Sequence, residues 1–297
     1  MGKLTQLTEK IQTSKNFKLL THSYQEHAVD QISFARTSVT GSRNFADELT
    51  DIFYNVKTAY AKGQGRSLNR FFRGKKIPIA PHMQNNGKEA LVLITANDNL
   101  YGDIIQRVCK LFYEKAKDSD PKTSDFIIVG RRGKDFFDQQ LKNRPYDYFR
   151  LPETKISVTH LLPLTQKLLP YLRVRVFYGK FQNLLTQSPV VEESITGDIP
   201  LDPTLEDKNK EDFIFEPTRE EVLSFFENQI FSILINQVVQ EGLLARFASR
   251  INAMEQAQNN IQKALILYRK EQKVARIMEF NKKQLERISG RVLWSKF

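Results

Sequence analysis

Residues 230–268 read IFSILINQVVQEGLLARFASRINAMEQAQNNIQKALILY, and their apolar side chains recur at spacings of three and four. This spacing places them on one continuous stripe of an α-helix. No proline follows Pro217, and only Gly242 and Gly290 interrupt a run of good helix formers. About 70 residues of helix would extend roughly 105 Å at about 1.5 Å per residue. A helix of that length does not fit inside a compact domain, so residues 218–297 are predicted to form a long shaft.

The first 60 residues repeat the pattern more weakly. The apolar residues that fall mostly on one face there are Leu4, Leu7, Ile11, Leu19, Leu20, Tyr24, Ala28, Ile32, Ala35 and Val39. Two exposed apolar stripes bury each other most simply as a coiled-coil pair. The repeat is imperfect, which predicts locally irregular winding. The alternative is a pair of separate amphipathic helices packed on the middle of the chain.

The middle of the chain has a different period. Short apolar runs at 90–95 and 125–130 are typical of buried strands, with a helical pattern between them at about 101–117. A helix near 158–169, a strand at 172–177 and a late strand at 212–215 follow. Strands that alternate with helices predict a small, mostly parallel α/β sheet. The expected organisation is a shaft helix at 1–60, an α/β domain at 61–217 and a second shaft helix at 218–297.

Charge is unevenly distributed along the chain, which carries a formal net charge of +11. A basic linker is expected at 57–76 and an acidic loop at 192–212. From Lys263 to the end, ten basic residues stand against three acidic ones. A basic helix end could face nucleic acid, an anionic membrane or an acidic protein surface. No base-reading module is recognisable, so nucleic acid is not an expected partner.

The sequence contains no recognisable membrane-spanning segment, catalytic motif or metal-binding motif. The apolar runs are too short to span a bilayer, and no secretory signal is expected. The sequence Gly-Arg-Arg-Gly-Lys at 130–134 lacks the spacing of a phosphate-binding loop, and Asp135 follows its lysine. The four histidines have no ligand spacing. Cys109, the single cysteine, is expected to be an inert core thiol, and we expect no cofactor and no metal ion.

Several short motifs occur in a shared order across nearly the whole chain. Residues 249–260 resemble the pattern S/A-R-M-x-A-M-x-x-A-x-x-N, and residues 286–290 resemble a terminal E-I-x-S-G. Residues 212–217 are similar to D-Y/F-x-x-E-P, and residues 179–183 are similar to N-K-F-x-N. Residues 127–137 resemble I-G-x-K-G-x-x-F-F. In this order, the motifs resemble those of the gamma subunits of F-type ATP synthases, which form the central rotor shaft.

Two contact segments depart from the pattern of that family, one in a loop and one in the C-terminal shaft helix. The family reads S-D-R-G-L-C-G-G-x-N after the first strand, whereas residues 96–103 here read Ala-Asn-Asp-Asn-Leu-Tyr-Gly-Asp. The family's contact R-Q-x-x-x-T becomes Arg276 and Ile277 with Asn281, and the glutamine amide is lost. The shaft assignment is unaffected, but the residues available at both contacts are changed.

The resemblance implies a long antiparallel coiled coil of the N- and C-terminal helices with an inserted Rossmann-like α/β domain. The coil would be a non-catalytic rotor inside a hexamer of three alpha and three beta subunits. The α/β domain would be a foot that contacts an epsilon-like subunit and a membrane ring of c subunits. The complex would lie on the cytoplasmic face of a bacterial plasma membrane, or on the matrix side in a mitochondrion.

The resemblance also implies two sets of contact residues. The set facing the part of the hexamer that surrounds the shaft, here called the collar contact, is Arg250, Met254, Asn260, Lys273, Arg276, Ile277, Asn281, Lys282, Lys283 and Glu286. The set at the foot, here called the foot loop, is Asn97, Asp98, Asn99, Leu100, Tyr101 and Gly102. Two other functions remain open. One is the shaft of an F1-like ATPase that hydrolyses ATP for mechanical work without a c-ring, as in the mycoplasma type. The other is a stand-alone coiled-coil scaffold without alpha and beta partners.

Overall fold

The computed structural model describes residues 2–63, 77–78, 86–120, 122–142, 144–193, 198–199, 216 and 218–294. The elements in chain order are α1 (Lys3–Gly63), β1 (Ile77–Pro78), β2 (Glu89–Ile94), α2 (Ile104–Ala116), β3 (Ser124–Val129), α3 (Arg131–Gln140), β4 (Tyr146–Phe149), α4 (Val158–Leu168), β5 (Arg173–Phe181), β6 (Gln187–Glu193), β7 (Asp198–Ile199) and α5 (Arg219–Trp294). The chain forms two compact units. The helical unit comprises Met1–Val29 with Arg250–Phe297, and the α/β unit comprises Asp30–Ser249.

The helical unit is an antiparallel pair formed by the start of α1 and the end of α5. Lys18 Nζ donates to Gln262 Oε1 at 2.9 Å. Gln272 Nε2 donates to Thr8 Oγ1 at 2.9 Å. The residue number falls on one helix as it rises on the other, so the two chains run in opposite directions. The predicted coiled-coil pair is confirmed.

The buried seam of α1 differs in part from the predicted stripe. Leu7, Ile11 and Ala28 are buried as expected, at 4%, 8% and 0% exposure. Leu19 and Leu20, which the stripe included, are 68% and 49% exposed. The buried residues Leu7, Ile11 and Ala28 lie on one heptad register, with steps of alternately three and four residues. Leu19 and Leu20 do not fall on positions of this register. The prediction of an inward Leu19 and Leu20 was wrong because it followed apolar residues rather than the heptad register.

Polar side chains occupy the middle of this seam. The heptad positions 14, 18, 21 and 25 hold serine, lysine, threonine and glutamine. Gln258 Nε2 donates to Gln25 Oε1 at 2.7 Å, close to the Lys18–Gln262 contact. Polar residues at seam positions specify register at a cost in stability. The centre of the pair therefore sets its alignment, and its apolar positions supply most of its cohesion.

The α/β unit is built on a five-stranded sheet of order β4-β3-β2-β5-β6. Strand β2 pairs in parallel with both β3 and β5, and β3 pairs in parallel with β4. Strand β6 returns as an antiparallel hairpin partner of β5. Parallel neighbours need crossover connections, which the helices between these strands supply. The predicted, mostly parallel sheet is confirmed, while α3, β4 and β6 were not predicted.

One face of the sheet carries an aromatic core. Alternate residues of β2 and β3 point toward α2 and α3, where Phe112 is fully buried. The Phe112 ring lies 6.1, 6.3 and 5.1 Å from the rings of Phe126, Phe137 and Phe177. Aromatic pairs at these separations add to the free energy gained from burial. Phe112 therefore joins α2 to strands β3 and β5 and to α3.

Several predictions fall outside the described residues. These are the late strand at 212–215, most of the basic linker at 57–76 and most of the acidic loop at 192–212. The described residues beside these gaps include a two-stranded antiparallel sheet in which Ile77 pairs with Ile199.

Cys109 lies on the buried face of α2 and is 2% exposed. Burial raises the pKa of its thiol from 9.0 to about 12, against a smaller opposing effect of Arg132. Only the thiolate reacts readily with disulfide reagents. We therefore expect no labelling of the folded chain by such a reagent at pH 8, and complete labelling in denaturant.

Because the pKa of the Cys109 thiol is raised by folding, the stability of the folded chain should depend on pH in the alkaline range. The neutral thiol stabilises the folded chain fully below about pH 9, and this contribution is lost as the pH rises toward about 12. A Cys109→Ala chain should show no labelling under any condition. Rapid labelling of the unmodified chain in native buffer would show that the thiol is accessible.

Candidate functional sites

The foot loop crosses the carboxyl edge of the sheet between the end of β2 and the start of α2. Two of its residues have positive φ, Leu100 at 69° and Gly102 at 62°. Leu100 is 49% exposed, whereas the neighbouring Tyr101 is 2% exposed. Asp98 and Asn99 are also exposed. The loop therefore presents residues 98–100 outward and inserts the ring of Tyr101 into the core.

Glu153 holds the foot loop from the segment after β4. Its Oε1 accepts from the backbone N–H of Asn97 and, at 3.4 Å, from that of Asp98. Its Oε2 accepts from the Tyr101 hydroxyl at 2.6 Å. The Asn97 side-chain amide donates to Leu151 O at 2.6 Å. Both ends of the outward turn are therefore fixed to one segment of the fold.

Helix α5 reaches the same site through Arg246, which is 7% exposed. Its Nη1 donates to the carbonyl oxygen of Thr95 and lies 3.9 Å from Glu153 Oε2. Its guanidinium carbon is 5.9 Å from the centre of the Tyr101 ring. The Tyr101 and Phe247 rings meet edge to face at 5.8 Å. The loop is thus attached to α5 directly, by the contacts of Tyr101 with Phe247 and Arg246, and indirectly through Glu153, which pairs with Arg246.

At the start of α3, backbone N–H groups that a phosphate-binding loop would offer to a ligand are instead used for contacts within the fold. A helix N-terminus binds phosphate with its unsatisfied backbone N–H groups. Here the N–H of Arg132 donates to Ala96 O at 2.8 Å, and that of Gly133 donates to Thr95 Oγ1 at 2.8 Å. These donors join α3 to the end of β2.

The collar-contact residues separate into a buried and an exposed group. Arg250 and Met254 are 4% and 5% exposed. The Arg250 guanidinium lies 5.7 Å from the centre of the Tyr24 ring, so it supports the helix pair. The exposed members are Asn260, Lys273, Arg276, Ile277, Asn281, Lys282, Lys283 and Glu286. Those eight are the members available to a partner.

Exposed apolar side chains accompany the basic residues near the end of α5. They are Val274, Ile277, Met278, Phe280, Leu285 and Ile288, which are 51% to 65% exposed. Single exposed apolar residues are normal, but a concentration of them marks an interaction surface. Only Ile277 and Ile288 among them fall within the family motifs, and the other four were not predicted to be functional. The sequence feature that could have identified them is the presence of apolar residues in a predicted helix but outside its buried stripe.

The described residues offer little for chemistry. No group of three or more His, Cys, Asp or Glu side chains that could hold a metal ion occurs among them. Ser157 Oγ lies 2.7 Å from His160 Nδ1, but the Ser157 N–H also donates to that nitrogen. This pair forms the capping box at the start of α4. None of the helices in the described part of the chain is both long and apolar enough to cross a membrane.

Solved structures with a similar fold come from mitochondrial ATP synthases. The chain is similar to one in the Tetrahymena thermophila mitochondrial ATP synthase central stalk and c-ring, with a TM-score of 0.57 and 15% identity, covering 80% of this chain and 99% of that one. It is also similar to one in the Euglena gracilis mitochondrial ATP synthase, with a TM-score of 0.54 and 16% identity, covering 89% and 94%. At these identities, the likeness is one of fold.

The family follows from the sequence comparison. Residues 3–278 match the ATP synthase family model, so the chain belongs to that family. The ATP synthase gamma chain of Roseiflexus sp. strain RS-1 is 24% identical, over 88% of this chain and 87% of the relative. That of Hyphomonas neptunium is 24% identical, over 98% and 99%. The resemblance of the motifs to gamma subunits is confirmed.

Proposed function

We propose that this chain is the non-catalytic rotor shaft of an F-type ATP synthase and couples rotation to nucleotide chemistry on alpha and beta subunits. The observation that carries the proposal is the architecture: α1 and α5 form an antiparallel pair in one unit and continue into an α/β unit. A match to the family model over residues 3–278 supports it. The complex would be peripheral to a membrane.

The mechanism needs only differential contact between the shaft and its surroundings. The helix pair is asymmetric, because its two helices expose different side chains: α1 exposes Leu19 and Leu20, whereas α5 exposes apolar and basic residues near its end. Each orientation of such a shaft favours one conformation of a given catalytic subunit, through contacts that differ between conformations. Three identical sites around it would then occupy different states in turn.

The collar contact is assigned to the eight exposed residues of α5, with Arg276 as the main contact. Arginine is enriched among the residues that dominate binding energy at interfaces. Lys283 lies 2.9 Å from Glu279, and Lys282 lies 3.9 Å from Glu286, in exposed pairs on one helix. Such pairs contribute little to stability, so these lysines remain available to acidic loops of a partner.

The foot loop is assigned to a contact with a ring of c subunits, and an epsilon-like subunit is a further partner of the α/β unit. The exposure of Asp98, Asn99 and Leu100 supports an outward role for the loop. The similar chain from Tetrahymena thermophila belongs to a structure described as central stalk and c-ring. A second candidate is the F1-like motor without a c-ring. The departure of residues 96–103 from the family pattern favours it.

Affinity purification of the tagged native protein, with mass spectrometry of stoichiometric partners, separates these functions. Alpha, beta and c subunits together would support the coupled rotor. Alpha and beta without a c subunit would favour the uncoupled motor. Self-association with neither partner would favour the scaffold and overturn both rotor proposals.

Arg276→Ala is expected to lower ATP hydrolysis by the purified complex by about tenfold, since loss of a dominant interface arginine costs more than about 1 kcal/mol. Steady-state hydrolysis at saturating ATP measures the effect. The matched control is Arg269→Ala, an exposed arginine two helical turns earlier and outside the collar set. Equal rates for the two variants would remove Arg276 from the contact.

A further inference from the structure

We infer that Arg246 and Glu153 are positioning residues that hold the foot loop rigidly against helix α5. Mechanical force (load) applied to the loop is then transmitted directly to α5. The inference rests on the proposed function only for the source of the load. The loop's attachment to α5 is visible in the geometry of the α/β unit alone.

The side-chain route is far shorter than the route along the chain. Arg246 donates to a carbonyl oxygen that is 151 positions away in sequence. The covalent path from the loop to α5 passes through α2, the rest of the sheet and the segment before Arg219. Close-packed interiors transmit strain through contacts. Load on the loop therefore reaches α5 first through Arg246 and the Tyr101–Phe247 ring contact.

Burial stiffens this attachment. The side chains of Arg246 and Glu153 are 9% and 16% exposed. Electrostatic interactions are stronger away from water than at an exposed site. Glu153 is held by donors from the loop at two backbone N–H groups and one hydroxyl, with Arg246 beside it. Motion of the loop relative to α5 would have to break several of these contacts together.

The backbone of the loop shows what the attachment holds in place. Leu100 has a φ of 69°, a region that bulky residues rarely adopt. A rarely adopted conformation persists where the surrounding structure over-determines it. Glu153 fixes the residues on both sides of this turn, Asn97 and Tyr101. Without Glu153 and Arg246, the loop could adopt other conformations, and the orientation of its tip would no longer be fixed relative to α5.

Amide hydrogen exchange of the full-length Arg246→Met and Glu153→Gln chains tests the positioning role. Methionine fills similar space without a charge, and glutamine keeps the shape of the side chain. We expect exchange at residues 97–102 to accelerate by about tenfold or more, with unchanged exchange in β3 and α2. The matched control is Arg250→Met, a buried arginine of the same helix that belongs to the helical unit. Its loop exchange should equal that of the unmodified chain.

Unchanged loop exchange in both variants would overturn the inference. So would acceleration spread evenly over the α/β unit, because it would show a general loss of stability. If the Arg246→Met chain does not fold, the Glu153→Gln chain still tests the inference.

The load itself is tested in the assembled complex. We expect Arg246→Met to retain ATP hydrolysis, while the number of coupling ions (protons or sodium ions, both assayed) pumped per ATP hydrolysed falls several-fold. Full pumping with a loosened loop would overturn the direct route and leave the proposed function intact. If the complex with the unmodified chain hydrolyses ATP without pumping, the coupled function fails, and hydrogen exchange still decides whether the two residues position the loop.

Discussion

Replacing Gly130 by alanine is expected to lower the free energy of unfolding of the full chain by about 3 kcal/mol or more. Gly130 has a φ of 93°, where a side chain is strained, at a cost of roughly 1–3 kcal/mol. A Cβ there would also lie 2.8 Å from Thr95 Oγ1 and 2.9 Å from the Thr95 carbonyl carbon. Overpacking adds about 1–3 kcal/mol. Urea denaturation followed by circular dichroism measures the change.

The matched control is Gly242→Ala in the middle of α5. A Cβ at Gly242 would meet nothing nearer than Tyr178, at 3.8 Å. Alanine in place of glycine inside a helix, where space permits, stabilises by about 0.4–1 kcal/mol. The two substitutions should therefore move the free energy of unfolding in opposite directions. A Gly130→Ala chain as stable as the unmodified one would show that the carboxyl edge of the sheet is differently arranged.

Phe112→Ala is expected to lower the free energy of unfolding by about 3–5 kcal/mol, because it removes a fully buried ring from a close-packed core. The cavity would lie among Phe126, Phe137 and Phe177, which belong to two strands and a helix and cannot all move inward. The same urea titration measures it. Phe17→Ala, at a site 55% exposed on α1, should change the value by less than about 0.5 kcal/mol. Similar effects at the two sites would contradict the assigned core.

The parts of the fold that could be predicted were those whose pattern is long or strongly apolar. The period of α5 and the runs that became β2 and β3 are of this kind. Helix α3 was missed because Arg-Arg-Gly-Lys-Asp opens it with charges and a glycine. Phe137 buries one side of that helix, and Gly133 lets it approach Thr95. Such a helix is stabilised by tertiary contacts that its own sequence does not show.

The foot loop could be assigned from a resemblance, but the side chains that hold it could not. Arg246 and Glu153 are far from the loop in sequence, and no local motif joins them. One signal was present: Arg246 interrupts an apolar stretch, between Leu243 and Leu244 on one side and Phe247 on the other. A buried charge requires a partner. The sequence therefore raised the question of what Arg246 contacts, and only the fold answers it.

The antiparallel pair joins the first part of the chain to the last, and this has a consequence for its synthesis. Val29 and Arg250, which bound the helical unit, are separated by 221 positions. At about 5–20 residues per second, a ribosome needs roughly 10 to 40 s to cover that distance. During this time the nascent N-terminal helix carries Leu7 and Ile11 without the surface that later buries them. The interval before its partner is translated is when this segment is most exposed to aggregation and to chaperones.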